Sequence, residues 1–164
     1  MRDWLDLVVR IGYRLAYLML RAWWFVRRPA TRGTGVALWH EGKILLVRTS
    51  YRASLSLPGG FVERGESSNE AARRELLEEL GIALAPGVLR LAWQGTLRFE
   101  SRLDTTDIWE IRLDSPPRIW FDGREIVWAG WMNPSGALKK RLLPHVALYL
   151  AQTQGVESGL MVAD

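Results

Sequence analysis

Gly60-Phe61-Val62-Glu63-Arg64-Gly65-Glu66-Ser67-Ser68-Asn69-Glu70-Ala71-Ala72-Arg73-Arg74-Glu75-Leu76-Leu77-Glu78-Glu79-Leu80-Gly81-Ile82 carries a local signal and a chemical one in the same residues. Ser67 and Glu70 have the spacing of a capping box, and Gly81 stands where a helix ends, so the pattern predicts a helix over 67–80. On that helix Glu75, Glu78 and Glu79 fall at about 0°, 300° and 40° and share one face, while Leu76, Leu77 and Leu80 cover much of the other. An acidic helix face is commonly just solvated, and an Arg74–Glu78 pair at i,i+4 is worth only about 0.2–0.5 kcal/mol. Glutamates crowded at i,i+3 nonetheless repel one another unless a divalent cation neutralises them. Hard oxygen ligands of this kind suit Mg²⁺ or Mn²⁺.

Working outward, the chain of 164 residues is 48% hydrophobic and 24% charged, which fits one compact domain with a terminal appendage. It has no cysteine and only two histidines, His40 and His145. That excludes a disulfide framework and any thiolate metal site, and leaves little for a zinc centre or a histidine-based triad. Net charge is +4 with a pI near 9.8, which suits an anionic partner without choosing among nucleotide, nucleic acid and acidic membrane. The nine tryptophans are scattered and read as core or interface residues rather than a base-stacking platform.

Residues 1–28 read as one long helix ending before Pro29. Asp3, Asp6, Arg10, Arg14, Arg21 and Arg28 fall within an arc of about 80°, leaving a broad surface that is apolar apart from Arg2 and Arg27 at its ends. Spanning a bilayer would put Arg14 near its centre at a cost of roughly 2.5–3.5 kcal/mol, and no small-residue cleavage site marks a signal peptide. Two roles remain open: an anchor lying in the membrane interface, or packing on the domain or across a homodimer.

Downstream, Gly35–Trp39 and Ile44–Arg48 read as a hairpin around His40-Glu41-Gly42-Lys43, and 88–100, 107–113 and 126–132 as further strands. Residues 135–152 read as a terminal helix broken or kinked at Pro144.

The opening segment, written as Gly60, five residues, Glu66, seven residues, then Arg74-Glu75-Leu76-Leu77-Glu78-Glu79-Leu80-Gly81-Ile82, resembles the Nudix box of the Nudix hydrolase family at all nine specified positions. Its flanks agree, with Leu57-Pro58-Gly59-Gly60 before it and a capped helix within it. The resemblance implies an α/β fold: an α/β/α sandwich with a mixed sheet, here preceded by an extra amphipathic helix. The expected organisation is that helix over 1–30, the hydrolase domain over 31–152 and a loosely ordered tail over 153–164.

Carried over by matching position, Glu78 and Glu79 are the implied principal metal ligands and catalytic carboxylates. Glu75 is a further ligand, the Gly60 carbonyl a contributor, and Glu66 and Arg74 brace the loop against the helix. Glu125, six residues before Trp131, stands where some members supply another carboxylate as ligand or base; an exposed loop residue is the alternative. Arg48 and Arg52 precede the box and are candidates for binding outer phosphates.

The activity this implies is Mg²⁺-dependent, or Mn²⁺-dependent, hydrolysis of a diphosphate bond in a nucleoside diphosphate linked to another moiety. No proline lies in Ala92–Leu97, where ADP-ribose specialists carry one, and Phe99 replaces the tyrosine of some dinucleoside polyphosphate hydrolases. Elimination leaves a nucleoside triphosphate or a nucleotide-sugar-like substrate. The alternatives are those two specialised hydrolases, or a non-catalytic nucleotide-binding sensor or scaffold, against which the intact glutamates argue. The expected partner is a small-molecule nucleotide, with no recognisable nucleic-acid motif. The expected location is cytoplasmic, at the membrane's inner face if the N-terminal helix is an anchor.

Overall fold

The structure, a computed structural model, describes residues 2–155. Its elements in chain order are α1 (Arg2–Arg27), β1 (Ala30–His40), β2 (Lys43–Thr49), α2 (Ser68–Leu80), β3 (Arg90–Phe99), β4 (Arg102–Arg112), β5 (Ile126–Met132), α3 (Pro134–Ala137) and α4 (Pro144–Thr153). The strands form one sheet in the order β3-β4-β1-β2-β5. β1 and β4 run parallel and the other neighbours antiparallel, so the sheet is mixed.

Alternation along the central strands explains the layers, because successive residues of a strand point to opposite faces and both faces here are covered. Val36, Leu38, Leu45 and Val47 face α2, where they meet Ala72, Leu76 and Leu80. Ala37, Trp39, Ile44 and Leu46 face the other way, against Val146, Tyr149 and Leu150 of α4. The result is the expected α/β/α sandwich. Both predicted caps of α2 are present: Ser67 Oγ accepts from the Glu70 amide, Glu70 returns a bond to the Ser67 amide, and Gly81 closes the helix in the left-handed region at φ 67°.

Several boundaries differ from the sequence reading, among them that of β1, which begins at Ala30, five residues before Gly35. β4 begins at Arg102, five residues before the predicted strand, because its polar first half pairs on both sides with β1 and β3. The terminal helix is broken rather than kinked: α3 ends at Ala137, and Pro144 occupies the first turn of α4, where its missing N–H costs nothing. Just before it, the Leu55 amide donates to the Arg141 carbonyl and the Leu143 amide to the Leu55 carbonyl, so the chain there is extended. Of the predicted tail, Thr153 closes α4 and residues 156–164 lie outside those described.

α1 is the single helix foreseen over the first 28 residues, and the chain leaves it through Arg28, itself in the left-handed region at φ 46°, and Pro29. One edge of the charged stripe turns toward the domain together with Tyr17 and Trp24, and the rest of the broad apolar surface turns outward: Arg10 Nε donates to the Gly123 carbonyl at 2.9 Å and Arg14 Nε to the Ser50 carbonyl at 3.0 Å. Asp6 pairs with Arg124 at 3.0 Å.

Candidate active site

β1 and β2 pair only near their hairpin, at Trp39–Ile44 and His40–Lys43, and then splay apart. The loop Ser56–Val62 fills the gap along β1: the Thr34, Val36 and Val62 amides bond to the Gly60, Pro58 and Arg32 carbonyls at 2.9, 2.9 and 3.0 Å. The fit demands glycine at 59 and favours it at 60. Gly59 adopts φ 146°, and a Cβ there would run into the Thr34 carbonyl and Gly35 Cα. A Cβ on Gly60 would occupy the place of the Glu75 carboxylate. The Gly60 carbonyl, expected to contribute to a metal site, already accepts from the Thr34 amide, which leaves it one lone pair.

α2 packs Leu76 and Leu80 on the sheet, leaves Leu77 exposed against the sequence reading, and turns Glu75, Glu78 and Glu79 to the cleft between this loop, β1 and α1. Glu79 Oε2 accepts from the Gly59 amide at 2.9 Å. Burial raises its pKa well above the carboxylate range; the Gly59 bond opposes the rise, and the charges of Glu75, Glu125 and Glu78 add to it. Burial likewise raises Glu75 against the pull of Arg74. Glu78 is more exposed, with 59% of its side chain open to solvent.

Arg74 ties these groups together. Its Nε and Nη2 donate to the two oxygens of Glu66 at 3.0 and 3.1 Å, Nη2 also to the Phe61 carbonyl at 3.1 Å, and Nη1 to Glu75 at 2.9 Å and Glu78 at 3.3 Å. The bond from Arg74 holds the Glu66 carboxyl below its usual range. One guanidinium therefore links the loop to the acidic face of the helix.

Glu125 comes from the turn before β5 and enters the same cleft, where Tyr51 Oη donates to its carboxylate at 3.0 Å. Arg52 also lines the cleft, with Nη2 on Glu100 at 3.0 Å and Nε on Tyr17 Oη at 2.8 Å. Arg48 does not line it. Val47 points into the α2 layer, so alternation turns Arg48 to the opposite face, where it is exposed. This corrects its assignment as a phosphate-binding candidate.

Other cleft residues carry no recognisable motif. From α1 come Tyr13, Ala16, Tyr17, Leu20 and Trp24, so the N-terminal helix is a wall of the cleft, whose volume is about 560 Å³. From β4 comes Arg102, only 4% exposed, with its guanidinium 3.8 Å from the Trp24 ring and pairs to Glu100 at 3.1 Å and Asp104 at 3.2 Å. His145 lies beside them; burial lowers its pKa to about 4, with Arg52 and Arg102 adding to the depression and Asp104 opposing it.

Among the described residues no three carboxylates stand as a ready-made metal cage; Arg74 and the Gly59 amide hold them instead. The donor chemistry nonetheless fits a hard divalent cation. Six carboxylates line one cleft, Glu75, Glu78, Glu79 and Glu125 among them, and burial and mutual repulsion raise Glu75 and Glu79, a penalty that such an ion relieves.

The chain is 40% identical over 57 residues to an ADP-ribose pyrophosphatase of Methanocaldococcus jannaschii, covering 33% of this chain and 33% of that protein. It is 48% identical over 52 residues to a putative 8-oxo-dGTP diphosphatase of Bacillus subtilis, covering 31% and 35%. The matched stretches thus span about a third of the length of these curated relatives. The fold is similar to that of a MutT NUDIX hydrolase from Burkholderia pseudomallei, with a TM-score of 0.63 and 26% identity over 77% of this chain and 98% of that one. The NUDIX domain profile matches residues 29–152, from just past α1 into the last turns of α4. With that match over most of its length, the chain belongs to the NUDIX domain family.

Proposed function

We infer that the chain is a hydrolase that cleaves a diphosphate bond in a nucleoside diphosphate linked to another moiety, with Mg²⁺ as the favoured ion and Mn²⁺ as a substitute. One observation carries the reading: Glu75, Glu78 and Glu79 of α2 and Glu125 from the far end of the sheet line a single cleft. When bound, the ion screens the phosphate oxygens and acidifies water. Glu78 and Glu79 are assigned as its main ligands, with Glu75 and the free lone pair of Gly60 completing the set.

The chain's own groups divide the remaining work. The Gly59 amide fixes the Glu79 carboxylate, and Arg74 with Glu66 holds the loop against α2. Glu125, oriented by Tyr51, is placed to accept a proton from the attacking water. Arg52 is the cation placed to meet an outer phosphate, at the expense of its bond to Glu100.

A nucleoside triphosphate or nucleotide-sugar-like substrate is favoured, and a cleft of about 560 Å³ is within the range of small-ligand sites. The two relatives, named as an ADP-ribose pyrophosphatase and a putative 8-oxo-dGTP diphosphatase, fall on either side of that choice. The working organisation has the catalytic unit over 31–152 and the first 30 residues as an added helix. The experiment is a panel of nucleoside triphosphates, oxidised nucleotides, ADP-ribose, dinucleoside polyphosphates and nucleotide sugars, incubated with purified protein and Mg²⁺ and read by product mass. Release of a nucleoside phosphate that depends on Mg²⁺ and is lost in Glu78→Gln supports the reading; no turnover across the panel, or full turnover in Glu78→Gln, overturns it.

A further inference from the structure

The outer face of α1 is a large apolar surface that the described residues of its own domain do not cover. From its charged stripe Arg10, Arg14 and Asp6 reach inward to Gly123, Ser50 and Arg124, and Tyr17 and Trp24 pack inward beside them. The opposite arc, about 160° wide on a helical wheel, contains no charged residue from Trp4 to Val26. Trp4, Val8, Leu15, Leu18, Met19 and Val26 are exposed there, Met19 and Val26 by 74% and 76%. At 1.5 Å per residue this strip is roughly 33 Å long.

We propose that this face docks on the surface of an anionic phospholipid bilayer, with α1 lying in the plane of the interface. Its breadth argues for a lipid surface over a second copy of the chain. A seam between two helices covers a narrow stripe of each, whereas half-immersion in the headgroup region covers the whole arc. No helix among the described residues is long and apolar enough to cross a membrane, so α1 lies along the bilayer rather than through it.

Charge selects the kind of bilayer. Residues 1–28 hold six arginines and two aspartates, a surplus of four that equals the net charge of the whole chain. Arg10 and Arg14 donate to neutral carbonyls and so keep their charge uncompensated, and Arg14, Arg21, Arg27 and Arg28 are exposed along the flank and at the end of the strip. Trp4 and Trp23, near its two ends, suit the headgroup level. Because the inner side of the same helix walls the cleft, docking brings the cleft within about one helix diameter, ~10 Å, of the lipid. The docking does not depend on what the cleft hydrolyses.

The test floats the full-length protein with vesicles of phosphatidylcholine alone or with 30% phosphatidylglycerol, beside a Leu15→Glu, Met19→Glu double variant. Both substituted side chains are exposed, so circular dichroism and thermal midpoint are expected to match the wild type. The wild type is expected to rise with the anionic vesicles and less with the neutral ones, and the double variant to show a partition coefficient at least about tenfold lower. A wild-type protein that stays at the bottom with both compositions, or a double variant that floats as well as the wild type, overturns the proposal. So does light scattering that shows a dimer abolished by the double substitution with no vesicle binding, since the face then belongs to a second copy.

Discussion

Gly59 donates its backbone N–H to the Glu79 carboxylate at 2.9 Å, which joins the strand-like loop beside β1 to the acidic face of α2. Replacing Glu79 by glutamine leaves an amide oxygen that can accept the same bond but removes the charge. Mg²⁺-dependent turnover is expected to fall by roughly 10²–10³-fold, with circular dichroism unchanged. Steady-state phosphate release, with the far-ultraviolet spectrum as control, checks this.

The same substitution alters the pH dependence of stability. Glu79 has a folded pKa raised above its unfolded value, so its contribution favours folding below the ordinary carboxylate pKa and is lost as pH rises through the folded value. In metal-free buffer, Glu79→Gln is expected to gain stability relative to wild type as pH rises from about 4.5 toward neutrality. Paired urea titrations across that range measure the gap, and Mg²⁺ is expected to narrow it by binding only the wild-type cleft well.

Gly59→Ala tests the close approach of the loop to β1. With φ at 146° and the Thr34 carbonyl in the path of a Cβ, the loop must shift, at a cost of about 2–4 kcal/mol. A thermal midpoint lower by several degrees and faster exchange of the Thr34 and Val36 amides are the expected results, since those amides bond to this loop.

His145 gives an acid transition of opposite sign to that of Glu79. Its folded pKa is depressed to about 4 from 6.5, so its stabilising effect is complete above 6.5 and is lost as pH falls from there toward 4. The loss is of the order of 2–3 kcal/mol, and His145→Gln is expected to flatten the stability curve over that interval. Denaturant midpoints at closely spaced pH values decide it.

Arg102→Met leaves Glu100 without one of its cationic partners and Asp104 without its ion-pair partner, and takes the guanidinium from the Trp24 ring. Stranding buried charge in this way is expected to cost about 3–5 kcal/mol. Tryptophan emission is expected to shift to the red as Trp24, only 2% exposed in the wild type, gains access to water.

The most readable part of the chain is where local and chemical signals coincide. Ser67, Glu70 and Gly81 delimit α2 by short-range hydrogen bonding alone, and Glu75, Glu78 and Glu79 share a face by helical geometry, so both follow from spacing. Glu125 reaches the cleft only through sheet order, which brings β5 beside β2; spacing from Trp131 hinted at it without locating it. The start of β4 was obscured because Arg102, Asp104 and Thr106 look like loop residues, yet each is buried in a strand. In α1, periodicity identifies the residues that share a side but not the side that turns inward. Arg10 and Arg14 settle that by finding backbone carbonyls at the rim of the domain.

The cleft's inventory is split across a single peptide junction. Every carboxylate in it belongs to the stretch matched by the NUDIX profile, whereas Tyr13, Ala16, Tyr17, Leu20 and Trp24 lie before residue 29. The carboxylates proposed for catalysis and the helix that walls them therefore lie in separate stretches, so exchanging the helix is expected to reshape what the cleft admits while the carboxylates stay in place. The junction at Arg28 and Pro29 is where such a graft would be made, and chimeras joined there would show whether substrate range travels with the helix.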